Sequence, residues 1–164
     1  MKKKFCVARS SILLYCFLIL LVNNAVAQAP TTPSTNFAVD NIDGNRLRLF
    51  FNSGDGEKRI VVARANTAVT AVPSDGTDYL AGDFGAGNAI EPGQFVVYEG
   101  VGSSIFINGL SPSTTYHFRV YEFNGSSFGT EYLTSDFLSG NATTLSAPNT
   151  QASNISFSNV TGSS

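Results

Sequence analysis

Leu110-Ser111-Pro112-Ser113-Thr114-Thr115-Tyr116-His117-Phe118-Arg119-Val120 is the stretch that decides the fold. Tyr116, Phe118 and Val120 alternate with His117, Arg119 and Tyr121, the period of a strand with one face turned to a core. Leu110 closes the strand before it, and Pro112 sets φ for a turn that crosses from one sheet to another. Tyr116 opens the next strand with its ring inward and its hydroxyl free to bond back to the crossing turn, since a buried phenol needs a partner.

Outward from this stretch the texture is all-β, with short β-rich runs between Gly, Asn, Asp, Ser and Pro clusters. Phe37–Ile42 reads as a first strand. Arg46–Phe51 alternates, with Leu47, Leu49 and Phe51 inward and Arg46 and Arg48 outward. Residues 52–57 turn, Gly54 and Gly56 supplying the freedom. Arg59–Arg64 is continuously apolar at its centre, as for a central strand. Residues 66–93 form a long loop rich in Asp and Gly. Gln94–Tyr98, Ser104–Asn108, Thr115–Phe123 and Gly140–Leu145 complete seven strands within residues 36–145. Seven short strands with regular turns predict a two-sheet sandwich.

The pattern Leu110-x-Pro112-x-Thr114-x-Tyr116-x-Phe118-x-Val120 resembles the corner and following strand of fibronectin type III domains, including their tyrosine corner. Further pieces resemble the variant found in repeat arrays of exported bacterial proteins: residues 54–64, 73–79, 84–87, 93–100 and 132–135. The resemblance implies a seven-stranded immunoglobulin-like sandwich that acts as a spacer or adhesive unit. It departs from the family pattern in lacking the Trp of the second strand, where Leu49 or Phe51 has to fill the core. An internal repeat agrees with an array. Residues 30–44 align with 148–162 at a constant offset, with Pro30/Pro148, Thr32/Thr150, Asn36/Asn154, Asn41/Asn159 and Gly44/Gly162 identical. The expected organisation is a signal peptide at 1–27, a Pro/Thr-rich linker at 28–35, the sandwich at 36–145, and at 146–164 a linker with the first strand of a truncated second repeat.

The signal peptide reading rests on three parts in order. Lys2, Lys3, Lys4 and Arg9 precede an apolar run from Ile12 to Val22, and Ala25-Val26-Ala27 offers small residues for cleavage before Gln28. The run is too short for a bilayer span, which takes about 20 residues. Cleavage removes both cysteines, Cys6 and Cys16, so the mature domain cannot rely on disulfides. It also leaves a net charge of −6, which argues against nucleic acid as a partner. A secreted or cell-surface location follows.

The function expected is that of a non-catalytic structural or interaction module. Its partners would be neighbouring domains or a surface protein or glycan. The alternative is a carbohydrate- or protein-binding module whose site lies on the 66–93 loop, with Tyr79 and Phe84 as contacts. A hydrolytic enzyme ranks third, because its only histidine, His117, lies mid-strand with no serine motif beside it. Asp75, Asp78 and Asp83 could supply oxygen ligands to Ca²⁺, although Asp-Gly pairs are ordinary turn formers. No cofactor is expected. Asn124, Asn141, Asn154 and Asn159 each head a glycosylation sequon, frequent by chance in so Asn- and Ser-rich a chain.

Overall fold

The computed structural model describes residues 27–147. The signal peptide and the second-repeat strand therefore lie outside the described residues. Among the described residues there are nine strands: β1 (Thr35–Asp40), β2 (Leu47–Asn52), β3 (Lys58–Ala65), β4 (Ala89–Glu91), β5 (Gln94–Gly100), β6 (Ser104–Ile107), β7 (Thr115–Asn124), β8 (Glu131–Tyr132) and β9 (Leu138–Thr143). Seven of these are the expected strands, with ends displaced by up to two residues. β4 lies inside the expected long loop, and β8 follows a 3₁₀ turn at Ser127–Gly129.

The strands make two antiparallel sheets, one ordered β1-β2-β6 and the other β4-β5-β3-β7, with β8 and β9 sharing the far side of β7. Period-two alternation gives each sheet an inner face. Leu47, Leu49 and Phe51 of β2, Ile105 and Ile107 of β6, Val61 and Ala63 of β3, and Tyr116, Phe118 and Val120 of β7 meet there. Leu49 and Phe51 occupy the core, as the missing Trp requires. The corner forms as read: the Tyr116 hydroxyl accepts from the Ser111 amide at 2.9 Å, and Leu110 is buried. Sheet order and corner together make this a fibronectin type III-like sandwich. On β1, Phe37 stacks against Phe118 and lies over Gly140, where a Cβ would come within 2.3 Å of the ring. Asn36 (φ 60°), inside that strand where its register is broken between Thr35 and Ala38, and Asn41 (φ 45°), just past its end, adopt left-handed conformations that Asn tolerates better than most residues.

At one pole of the sandwich the inner layer ends in an ion pair. Arg59 and Glu122 sit opposite each other in the β3–β7 register. Their side chains are 4 % and 0 % exposed, with Nε and Oε2 3.2 Å apart. Each of the other polar atoms of the two side chains also has a partner. The guanidinium donates to Val101 O (2.6 Å) and Gly56 O (3.2 Å). The carboxylate accepts from Ser34 Oγ (2.5 Å) and Gly54 N (2.8 Å). Such saturation is what makes two buried charges tolerable.

The expected linker, residues 28–35, is held to this pole, and its last residue, Thr35, already begins β1. Asp55 accepts from Thr31 N, Thr31 Oγ1 and Thr32 N at 2.7–3.0 Å. These bonds, Thr32 N first, lower its carboxyl from the usual range. The Asn124 amide donates to Gln28 O. Gly54 lies so close that a Cβ there would stand 2.0 Å from Thr32 O. The chain leaves at the opposite pole, where Leu145 N donates to Asp43 O and Leu145 O accepts from Ser113 N.

Candidate functional site

β3 and β7 carry buried apolar residues on both faces. Their outward residues, Ile60, Val62, Tyr121 and Phe123, form a second buried cluster with Val96 of β5, Tyr132 of β8, and Val69 and Ala71 of the following loop. The segment from Val69 to Tyr79 thus lies over the outer face of the larger sheet. Tyr121 does point to the other face, as its position in the strand dictates, yet it is fully buried there. Burial pushes its phenol pKa upward.

Polar side chains stitch this cover down. The Gln94 carbonyl accepts from Thr70 N (2.7 Å) and Ala71 N (2.9 Å), while its amide donates to Thr70 Oγ1 and Glu91 Oε2. The Tyr121 hydroxyl donates to Ala71 O at 2.8 Å. Farther along, Asp75 accepts from Tyr132 N at 2.8 Å. Asp78 accepts from Ser127 N (2.8 Å) and from the Thr130 hydroxyl. That hydroxyl, then the Ser127 amide, holds the Asp78 carboxyl below its usual range.

The three aspartates proposed for calcium are therefore separated. Asp75 and Asp78 tie the cover to the β7–β8 turn. Asp83 stands apart, its Cβ close to Gly109 and its backbone carbonyl accepting from Ala86 and Gly87. Among the described residues no three of His, Cys, Asp and Glu converge as a metal site.

The two aromatic residues proposed as ligand contacts also part company. Phe84 rounds the edge of β5 and plugs the inner layer, its ring packed edge-on against Phe95 (centroids 5.2 Å) and Tyr116 (4.9 Å). It is partly buried and packs against the inner core, and the loop backbone beside it is anchored by Gly82 N to Val96 O and Phe84 N to Asn108 O. Tyr79 stays on the outer face. With Phe123 and Tyr132 it lines a cleft of about 160 Å³ that Lys58, Asp78, Leu80, Glu99, Gly125 and Ser126 complete. Lys58 Nζ lies 3.0 Å from Glu99 Oε1, a bond that raises the ammonium pKa. Burial raises the Tyr132 phenol. Lys58, Glu99, Phe123 and Tyr132 escaped the sequence reading. The signal for them was the apolar content of both faces of β3 and β7, since a strand that is greasy on both sides is covered on both.

A second hollow of similar size lies at the other end of the outer face. His117, Arg119, Phe137, Ser139 and Asn141 are among its residues. Arg119 stacks on Phe137 with its guanidinium carbon 4.0 Å from the ring centroid. His117 is half-buried there, opposite Asn141 in the β7–β9 register.

No family model matches the sequence, and no curated protein matches it. Solved structures do resemble it. A redesigned β-sandwich protein is 16% identical over 75% of this chain and 99% of its own, with a TM-score of 0.48. The human collagen XX FN3 domain spanning residues P368 to P466 is 20% identical over 73% and 98%, with a TM-score of 0.42. The FN5 domain of Drosophila Lar is 11% identical over 73% and 100%, with a TM-score of 0.42. Strand order and the tyrosine corner, not these likenesses, define the fold.

Proposed function

We propose that this chain is a non-catalytic, exported module that spaces its neighbours and presents a fixed surface. The observation that supports it is the placement of the two chain ends. The backbone enters at the Arg59–Glu122 pole, clasped by Asp55, and departs at the Asp43–Ser113 pole. Between them β7 runs about 23 Å from Thr115 to Glu122, at about 3.3 Å per residue. A domain threaded pole to pole adds its own length to a chain. Its terminal strands β1 and β9 are then loaded along their hydrogen-bonded ladders, so the bonds resist together.

Single-molecule extension tests this reading. The protein pulled between residues 28 and 147 should unfold at clearly higher force than when pulled between residues 28 and 102, which share one pole. Equal forces would refute the spacer role. No helix among the described residues is long and apolar enough to cross a membrane. Export is supported by the charged, apolar and small-residue sequence of residues 2–27. Detection of mature protein beginning at Gln28 outside the cytoplasm would establish it.

A second reading, recognition through the 66–93 loop, is favoured by one feature: Tyr79 lines an open cleft beside Leu80, a large apolar side chain that is 75 % exposed.

A further inference from the structure

The cleft beside Tyr79 has a composition that selects among ligands. Its floor is aromatic, with the Tyr132 ring centroid 6.0 Å from that of Tyr79 and 5.1 Å from that of Phe123. Its apolar wall is Leu80, and Phe128, 98 % exposed, projects from the adjoining 3₁₀ turn. Its border is acidic. Asp78 and Glu99 line it, and Glu57 and Asp75 stand just behind, accepting from the amides of the lining residues Gly125 and Tyr132. Against these four carboxylates stands the single ammonium of Lys58. That ammonium lies 5.9 Å from the Phe123 ring centroid while it bonds Glu99. The cleft already holds a cation against an aromatic face, the environment in which a Lys or Arg side chain is attracted by the ring quadrupole.

We propose that this cleft binds a basic peptide segment, in which a Lys or Arg side chain enters between Glu99 and the aromatic floor and an adjacent apolar residue covers Leu80. The proposal rests on reading the loop face as a recognition surface. Lys58 supplies the sharpest discrimination. A cationic ligand competes with Lys58 for Glu99, so removal of the ammonium strengthens binding. An anionic ligand would use Lys58 as its anchor, and removal would weaken binding.

The test is an NMR titration of the ¹⁵N-labelled protein with two acetylated and amidated tetrapeptides, Leu-Arg-Leu-Arg and Leu-Glu-Leu-Glu, at low and high salt. The basic peptide should shift resonances of residues 78–80, 99 and 123–132, and its affinity should fall with salt. Glu99→Gln should weaken it by about 3- to 5-fold and Lys58→Met should tighten it by about 3-fold, the size of one solvent-exposed charge interaction. Leu80→Ser should weaken it too, with an unchanged unfolding midpoint because the side chain is exposed. Asp83→Asn, outside the cleft, should leave it unchanged. Preference for the acidic peptide at these same residues, or weaker basic-peptide binding by Lys58→Met, overturns the basic ligand and leaves the recognition surface standing. No shifts at millimolar concentrations of either peptide, or shifts scattered over the molecule, overturn both.

Discussion

One sheet of this protein is buried on both faces, and the two faces are sealed by different means. Inside, Phe118, Val120 and Val61 meet a second sheet whose own backbone is satisfied by its ladder. Outside, Ile60, Val62 and Tyr121 meet a loop with little ladder of its own. Gln94 accepts from its amides at Thr70 and Ala71, the hydroxyls of Tyr121 and Tyr132 donate to its carbonyls at Ala71 and Thr77, and its own Asp75 and Asp78 accept from the amides of Tyr132 and Ser127. The inner seal depends on apolar shape. The outer seal depends on a few polar groups, so it should open locally at lower cost than the whole fold.

The largest effect should fall on the inner side. Phe118→Ala removes a ring from the middle of the sandwich and should cost about 3–5 kcal/mol by denaturant titration, with all probes lost together. Glu122→Gln should cost nearly as much, about 3 kcal/mol, because Arg59 keeps its charge in the interior without a counter-ion. A smaller loss would mean water reaches that pole.

On the outer side, Gln94→Ala strands the amides of Thr70 and Ala71 and should cost about 1–3 kcal/mol. Hydrogen exchange would show the difference between the seals, with faster exchange at residues 69–71 and no change at 118 or 120. Tyr121→Phe deletes only the hydroxyl that holds Ala71 O, at about 1 kcal/mol. Uniformly faster exchange in either variant would mean that loop and sandwich unfold as one unit.

Acidification gives the smallest effect. The Asp78 carboxyl is held below its ordinary range by Thr130 and Ser127. Its contribution is therefore complete above the unfolded value of about 4 and is lost as pH falls through the lower folded value. Loop amides near residue 78 should lose protection in that acid window before the inner sheet does. Asp78→Asn should abolish this pH dependence.

The same contrast explains what could be read from the chain. Leu47, Leu49 and Phe51, and likewise Tyr116, Phe118 and Val120, declare their facing by local alternation. The tyrosine corner is a bond over five residues, within reach of a motif. The cover on the outer face is made by bonds such as Gln94 to Thr70 and Asp75 to Tyr132, which span 24 and 57 residues. Locally, Asp75 reads as a turn former and Gln94 as the first residue of a strand. Phe84 and Tyr79, five residues apart, look equivalent in sequence but fall on opposite sides of the β5 edge. Thr31 and Thr32 read as linker because Asp55, which fixes them, lies more than twenty residues away.

The ion pair at the end of β3 and β7 has a consequence for how the chain finds its pairing. A slip of one residue between these two strands would flip the apolar set of one of them to the wrong face. A slip of two preserves facing, and apolar side chains alone would discriminate poorly against it. That shift would set Arg59 opposite Val120 or Asn124 instead of Glu122 and maroon both charges. Misaligned intermediates are thereby penalised at the one place where greasy neighbours could have interchanged.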